Sequence, residues 1–114
     1  MNSAHIDSPP SLEGWDIRRD SDVDWLPWGT EGDAWSKVLG IADGYHVVVV
    51  KADPGYTAAP HEHDFPEFLY LLDGSAQNQG FRLVAGDGYA AAAGSSHTDF
   101  TTKGGATYLT VFKV

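Results

Sequence analysis

Downstream of Trp35 the chain consists of short apolar or alternating runs separated by clusters of Gly, Asp, Pro and Ser. The run Val47-Val48-Val49-Val50, inside residues 45–51, is the most β-prone, because branched side chains pack well on a pleated surface. Further strands are predicted over 36–41, 61–63, 67–72, 81–85, 89–93, 97–101 and 107–114. Turns are expected at Ala42-Asp43-Gly44, Asp53-Pro54-Gly55, Asp73-Gly74-Ser75, Gly86-Asp87-Gly88 and Lys103-Gly104-Gly105. No stretch of useful length carries a helical period. Short strands punctuated in this way predict an all-β fold, an antiparallel sandwich or barrel.

Residues 1–35 read differently. They hold all four tryptophans (Trp15, Trp25, Trp28 and Trp35) together with Pro9, Pro10 and Pro27. Ser8-Pro9-Pro10-Ser11 is expected to be extended, and residues 23–28 to form a short edge strand ended by Pro27. The division is therefore an N-terminal arm, 1–35, and a barrel, 36–114. The tryptophans either pack the arm onto the barrel or form a dimer contact or the roof of a cavity, since Trp suits both core and interface.

Composition narrows the function classes. The chain has 114 residues, the size of one domain, with 7 basic against 16 acidic residues and a formal charge of −9. Phosphate binding needs clustered Lys and Arg, so no nucleic-acid and no membrane partner is expected. The absence of cysteine excludes disulfides, Cys-ligated zinc and thiol redox chemistry. Neither a secretory leader nor a membrane span is legible, and a soluble, cytoplasmic protein is the expectation.

The chemistry concentrates in the segment after Gly55, in His61, His63, Glu67 and the more distant His97. On an extended strand His61 and His63 project from one face, and Glu67 shares their parity. Imidazoles with one carboxylate are the ligand set of non-haem iron, manganese and some zinc or nickel sites. A carboxylate facing a barrel interior would otherwise be buried without a countercharge. Other residues carry weaker signals. Asp99 shares the parity of His97 and could orient a histidine. Glu62 should face solvent, Asp64 could anchor a turn, His46 reads as a satisfied histidine in an apolar strand, and His5 as exposed. Tyr45, Tyr56, Tyr70 or Tyr89 could bring a hydroxyl to the site. Ala90 to Ala93, poor strand formers, suggest either close packing or space for a substrate, with Leu69, Leu71 and Phe100 as apolar lining.

These residues resemble the cupin superfamily. Its first motif is matched by Gly55, His61, His63, Glu67 and Gly74 with every gap in register. Its second is matched by Gly86, Gly94 and His97, with Ala92 in place of a proline and Thr101 in place of an asparagine. The arm, the short intervening loop and the Gly94-Ser95-Ser96-His97 turn look most like the ChrR-like group, which includes anti-sigma-factor domains and has relatives among acetylacetone dioxygenases. The resemblance implies a β-jelly-roll barrel (a double-stranded β-helix), often a homodimer, with one divalent metal ion per chain on His61, His63, Glu67 and His97.

For function, a mononuclear non-haem metal dioxygenase acting on a small diketone or hydroxyketone is favoured, with Fe(II) preferred and Zn, Mn or Ni compatible. The alternatives are a metal-containing sensing module like the anti-sigma-factor cupins, or a metal-dependent isomerase or decarboxylase. The last would need a cation to neutralise an anionic substrate, and Arg82, Lys51 and Lys103 are not obviously placed for it.

Overall fold

The structure, a computed structural model, describes residues 8–114; His5 and the rest of 1–7 lie outside the described residues. Among the described residues eleven strands follow in order: β1 (Leu26–Pro27), β2 (Ala34–Ala42), β3 (Tyr45–Ala52), β4 (Tyr56–Thr57), β5 (His61–Glu62), β6 (Glu67–Asn78), β7 (Phe81–Val84), β8 (Gly88–Ala91), β9 (Ser96–His97), β10 (Phe100–Thr102) and β11 (Ala106–Lys113). Among the described residues the only helical piece is one 3₁₀ turn, Asp20–Asp22. All pairings are antiparallel, as the alternating pattern predicts. The sheet runs β1-β2-β3-β11-β6-β10-β4, with β7 and β8 also on β6, and β5-β9 forms a separate ribbon.

Alternation decides which side chains enter the barrel. On β3, Val48 and Val50 are buried while Val47 faces out; on β6, Leu69 and Leu71 are buried while Phe68, Tyr70 and Leu72 face out. Tyr108 on β11, Phe100 on β10 and Leu83 on β7 complete this core. Tight turns set the hairpins. Asp43 (φ 51°) and Gly44 (φ 80°) join β2 to β3, and Gln79 (φ 50°) with Gly80 (φ 79°) joins β6 to β7, both in the left-handed conformation that two-residue hairpins need.

Asp73-Gly74-Ser75 is not a turn, contrary to its composition. β6 passes straight through it, pairing with β11 and β8 up to Gly74 and with β7 and β10 from Ser75 onward. A bulge lies here, since Thr107 faces Asp73 while the next residue, Tyr108, faces Leu71. Gly74 has φ +81°, and a Cβ on it would collide with the Gly105 carbonyl oxygen. The glycine serves to bend one strand from one wall of the barrel to the other.

Asp16 and Arg18 of the arm lie along the outer edge of β2. Asp16 accepts the Ile41 backbone N–H at 2.9 Å and Arg18 donates to the Val38 carbonyl at 3.3 Å, so side chains cap ladder groups on the stretch of β2 beyond its short pairing with β1. The Asp16 carboxyl is held below the usual range by its Arg18 and Ile41 hydrogen bonds. Lys37, buried on β2, donates from Nζ to the Asp20 carbonyl at 3.0 Å and lies 4.9 Å over the Trp25 ring. The predicted strand at 23–28 is reduced to Leu26–Pro27, opposite Ser36 and Trp35. Proline is tolerated there because this is an edge.

Candidate metal centre

Three separate pieces of backbone converge on one point. β5 pairs with β9 so that His61 lies directly across from His97. His63 follows β5, and its backbone is clamped by the Gly94-Ser95 turn: His63 N donates to Ser95 O at 2.8 Å, and Gly94 N donates to His63 O. Glu67 opens β6. One ligand atom from each of His61, His63, Glu67 and His97 lies within 4.8 Å of the others, an arrangement that could hold a metal ion.

The tautomers follow from the outward nitrogens. His61 Nδ1 is 3.0 Å from the Ala59 carbonyl, an acceptor, so this nitrogen carries the hydrogen. Ser95 Oγ gives its own hydrogen to Ala92 O at 2.6 Å and must therefore accept from His63 Nδ1, 2.9 Å away. His97 Nε2 donates to Asn78 Oδ1 at 2.6 Å. Each imidazole is thus turned with its hydrogen outward and a lone pair inward, the state a metal ligand requires.

The inward atoms have no partner suited to them. His63 Nε2 and His97 Nδ1 are buried and make no hydrogen bond among the described residues. They lie 3.0 Å and 3.7 Å from Glu67 Oε2, without the geometry for donation. Lone pairs facing a carboxylate are repulsive unless a cation stands between them, so the donor set fits a divalent ion. Burial pushes the His97 pKa down, further than the Glu67 charge raises it, which favours the neutral ring. Tyr89 donates to Glu67 Oε2 at 2.9 Å. Burial first, and the Glu67 charge second, hold the phenol protonated far above its usual range.

A cavity of about 260 Å³ opens beside His61, Glu67 and His97. Leu69 and Phe100 line it as expected, with Tyr56, Tyr108 and Thr110, and Trp28 stands at its wall. Leu71 is instead wholly buried in the core. Ala90 to Ala93 do not border this cavity; Ala90 and Ala91 edge a separate depression of about 270 Å³ beside His63 and His97, and Ala92 and Ala93 are exposed. Asp99 makes no hydrogen bond to a histidine ring among the described residues; the orienting groups are Ala59 O, Ser95 and Asn78. Asn78 and Ser95 escaped the sequence reading because they act only through pairings distant in the chain. Of the tyrosines, Tyr89 and Tyr56 reach the site, Tyr70 faces outward and Tyr45 lies under Lys113. His46 bonds the Gly44 carbonyl and stacks on Phe112, the satisfied histidine its apolar strand suggests.

Solved structures share this architecture. An RmlC-like cupin from Shewanella frigidimarina superposes with a TM-score of 0.75 at 19% identity, over 85% of this chain and 88% of that one. An acetylacetone dioxygenase from Acinetobacter johnsonii gives 0.72 at 14% identity, over 97% and 80%. The Rhodobacter sphaeroides complex of SigE with the anti-sigma ChrR gives 0.68 at 23% identity, over 84% of this chain and 52% of that one. At these identities the likeness is one of fold, the cupin jelly roll. No curated protein sequence matches the chain. The family described as the ChrR Cupin-like domain matches residues 16–113, nearly the whole barrel and much of the arm, and the chain belongs to that family.

Proposed function

We propose that this chain is a metal-dependent dioxygenase of small diketones or hydroxyketones, holding one divalent ion on His61, His63, Glu67 and His97. The observation that carries the reading is the inward convergence of three imidazole lone pairs and one carboxylate beside a largely apolar cavity. Bound there, a redox-active ion such as Fe(II) supplies coordination and electron transfer between a chelating substrate and dioxygen. The protein's part is to orient the ligands through Ala59, Ser95, Asn78 and Tyr89, and to keep bulk water away with Leu69, Phe100 and Trp28. A homodimer belongs to the same reading. Phe68, Tyr70 and Leu72 on the outward face of β6 remain 45%, 47% and 50% exposed, and a two-fold pairing of that face would cover them.

The second reading is a sensing module in which the same cage holds Zn²⁺ without turnover. The likeness to the SigE–ChrR complex favours it. Elemental analysis of protein purified without chelator or polyhistidine tag, followed by oxygen uptake with a diketone panel, separates the two. Iron near one per chain with substrate-dependent uptake supports the enzyme; tightly held zinc and no uptake supports the sensor.

A further inference from the structure

Four buried side-chain atoms lack a hydrogen-bond partner among the described residues: Asp33 Oδ1, His63 Nε2, His97 Nδ1 and Thr110 Oγ1. Two are candidate metal ligands. Thr110 is different, because it lies outside the cluster and yet lines the cavity beside it. It is 2% exposed. The fold can satisfy a buried threonine, as Thr102 shows by giving its hydroxyl to the Ser75 carbonyl at 2.7 Å. A buried hydroxyl left without a protein partner costs stability, while valine would fill the same space at no such cost.

Register places Thr110 relative to the candidate metal centre. Thr110 on β11 sits opposite Leu69 on β6, and Leu69 is two residues from Glu67 on the same face. Strand spacing and rise put the Thr110 and Glu67 Cα atoms roughly 8 Å apart. Both residues line the cavity of about 260 Å³, which has room for a single ring with chelating oxygens on one side and a hydroxyl on the other. The lining is otherwise aromatic and aliphatic, with the Tyr56 and Tyr108 phenols adding neutral polarity, and among the described residues it includes no Arg or Lys. A carboxylate or phosphate remote from the metal would have no countercharge there.

We propose that Thr110 is a specificity-determining group: its hydroxyl hydrogen-bonds the far end of a small, uncharged, oxygen-bearing molecule whose chelating oxygens face His61, Glu67 and His97. This rests on the metal-centre reading above and adds to it the substrate's charge, size and second point of recognition.

The test uses the full chain loaded with Zn²⁺ and two hydroxypyrones, kojic acid and allomaltol, which chelate alike and differ only by the hydroxymethyl oxygen of kojic acid. Isothermal titration should show the wild type preferring kojic acid by about five- to tenfold, the worth of one net hydrogen bond. Thr110→Val should abolish that preference, and Thr110→Ser should retain it. Metal per chain, measured on each sample, distinguishes loss of the metal site from loss of the Thr110 contact. Chains that take up no metal sink the metal-centre reading and this proposal with it. Metal-loaded chains that bind neither pyrone, or a preference that survives in Thr110→Val, overturn this proposal alone.

Discussion

Tyr89 gives its phenolic hydrogen to Glu67 Oε2 at 2.9 Å, although the two residues are 22 apart in sequence. The bond exists because β8 pairs with β6, bringing Glu67 opposite Ala91 and Leu69 opposite Tyr89. It fixes one carboxylate oxygen and leaves that oxygen beside the inward nitrogens of His63 and His97. Tyr89→Phe keeps the ring and removes the hydroxyl, so metal affinity should fall about 10- to 100-fold, the usual effect of losing an outer partner. Competition against a chelator measures it, and an unchanged affinity would show that Tyr89 does not position Glu67.

The histidines should separate by role. His61→Ala removes an inward lone pair and should abolish stoichiometric metal binding. Asn78→Ala and Ser95→Ala leave all four inward atoms but release the rings of His97 and His63. They should weaken binding about 10- to 100-fold without abolishing it. A full equivalent of metal in His61→Ala would refute the assignment.

Metal removal should cost stability. An ion that binds the folded chain at about 1,000 times its Kd stabilises it by about 4 kcal/mol. Chelated protein should therefore melt roughly 15 °C below reloaded protein, and the difference should vanish in His61→Ala. Equal melting curves for the wild type with and without metal would argue against binding at a folded site.

Gly74 and Gly80 test the bend in β6. Both have positive φ, but a Cβ at Gly80 meets nothing within 4 Å, whereas at Gly74 it runs into the Gly105 carbonyl oxygen. Gly80→Ala should cost about 1 kcal/mol for the backbone conformation alone. Gly74→Ala should cost more, about 3 kcal/mol, because β11 must also move. Denaturant midpoints compare the two, and equal losses would mean that β11 yields freely.

Lys37 ties the arm down. Its Nζ bonds the Asp20 carbonyl at 3.0 Å and the Asp20 carboxylate at 3.2 Å, but Asp20 is largely exposed, so the ion pair itself is weak. Lys37→Met keeps the buried stem and releases the arm. Global stability should change by about 1 kcal/mol or less, while tryptic cleavage at Arg18 and Arg19 should accelerate. Unchanged cleavage would show that Asp16 and Arg18 hold the arm without Lys37.

Local spacing carried much of this protein. The alternation around Val48 and Val50, the turn residues Asp43-Gly44, and the common parity of His61, His63 and Glu67 all depend on neighbours a few positions apart. An all-β fold and the candidate ligands His61, His63 and Glu67 were legible for that reason, while His97 lies too far along the chain for local spacing to place it. Asp73-Gly74-Ser75 misled because composition signals a positive φ without saying whether the chain reverses or only bends. That choice was made by β11 and β10, which pair with the two halves of β6. Likewise, nothing near Thr110 or Asn78 in the chain marks them as neighbours of the site, and nothing separates Tyr89 from Tyr45 or Tyr70 as the tyrosine that reaches it. Their positions follow from the register of strands distant in sequence, and a side chain's partners in a barrel are set by that register.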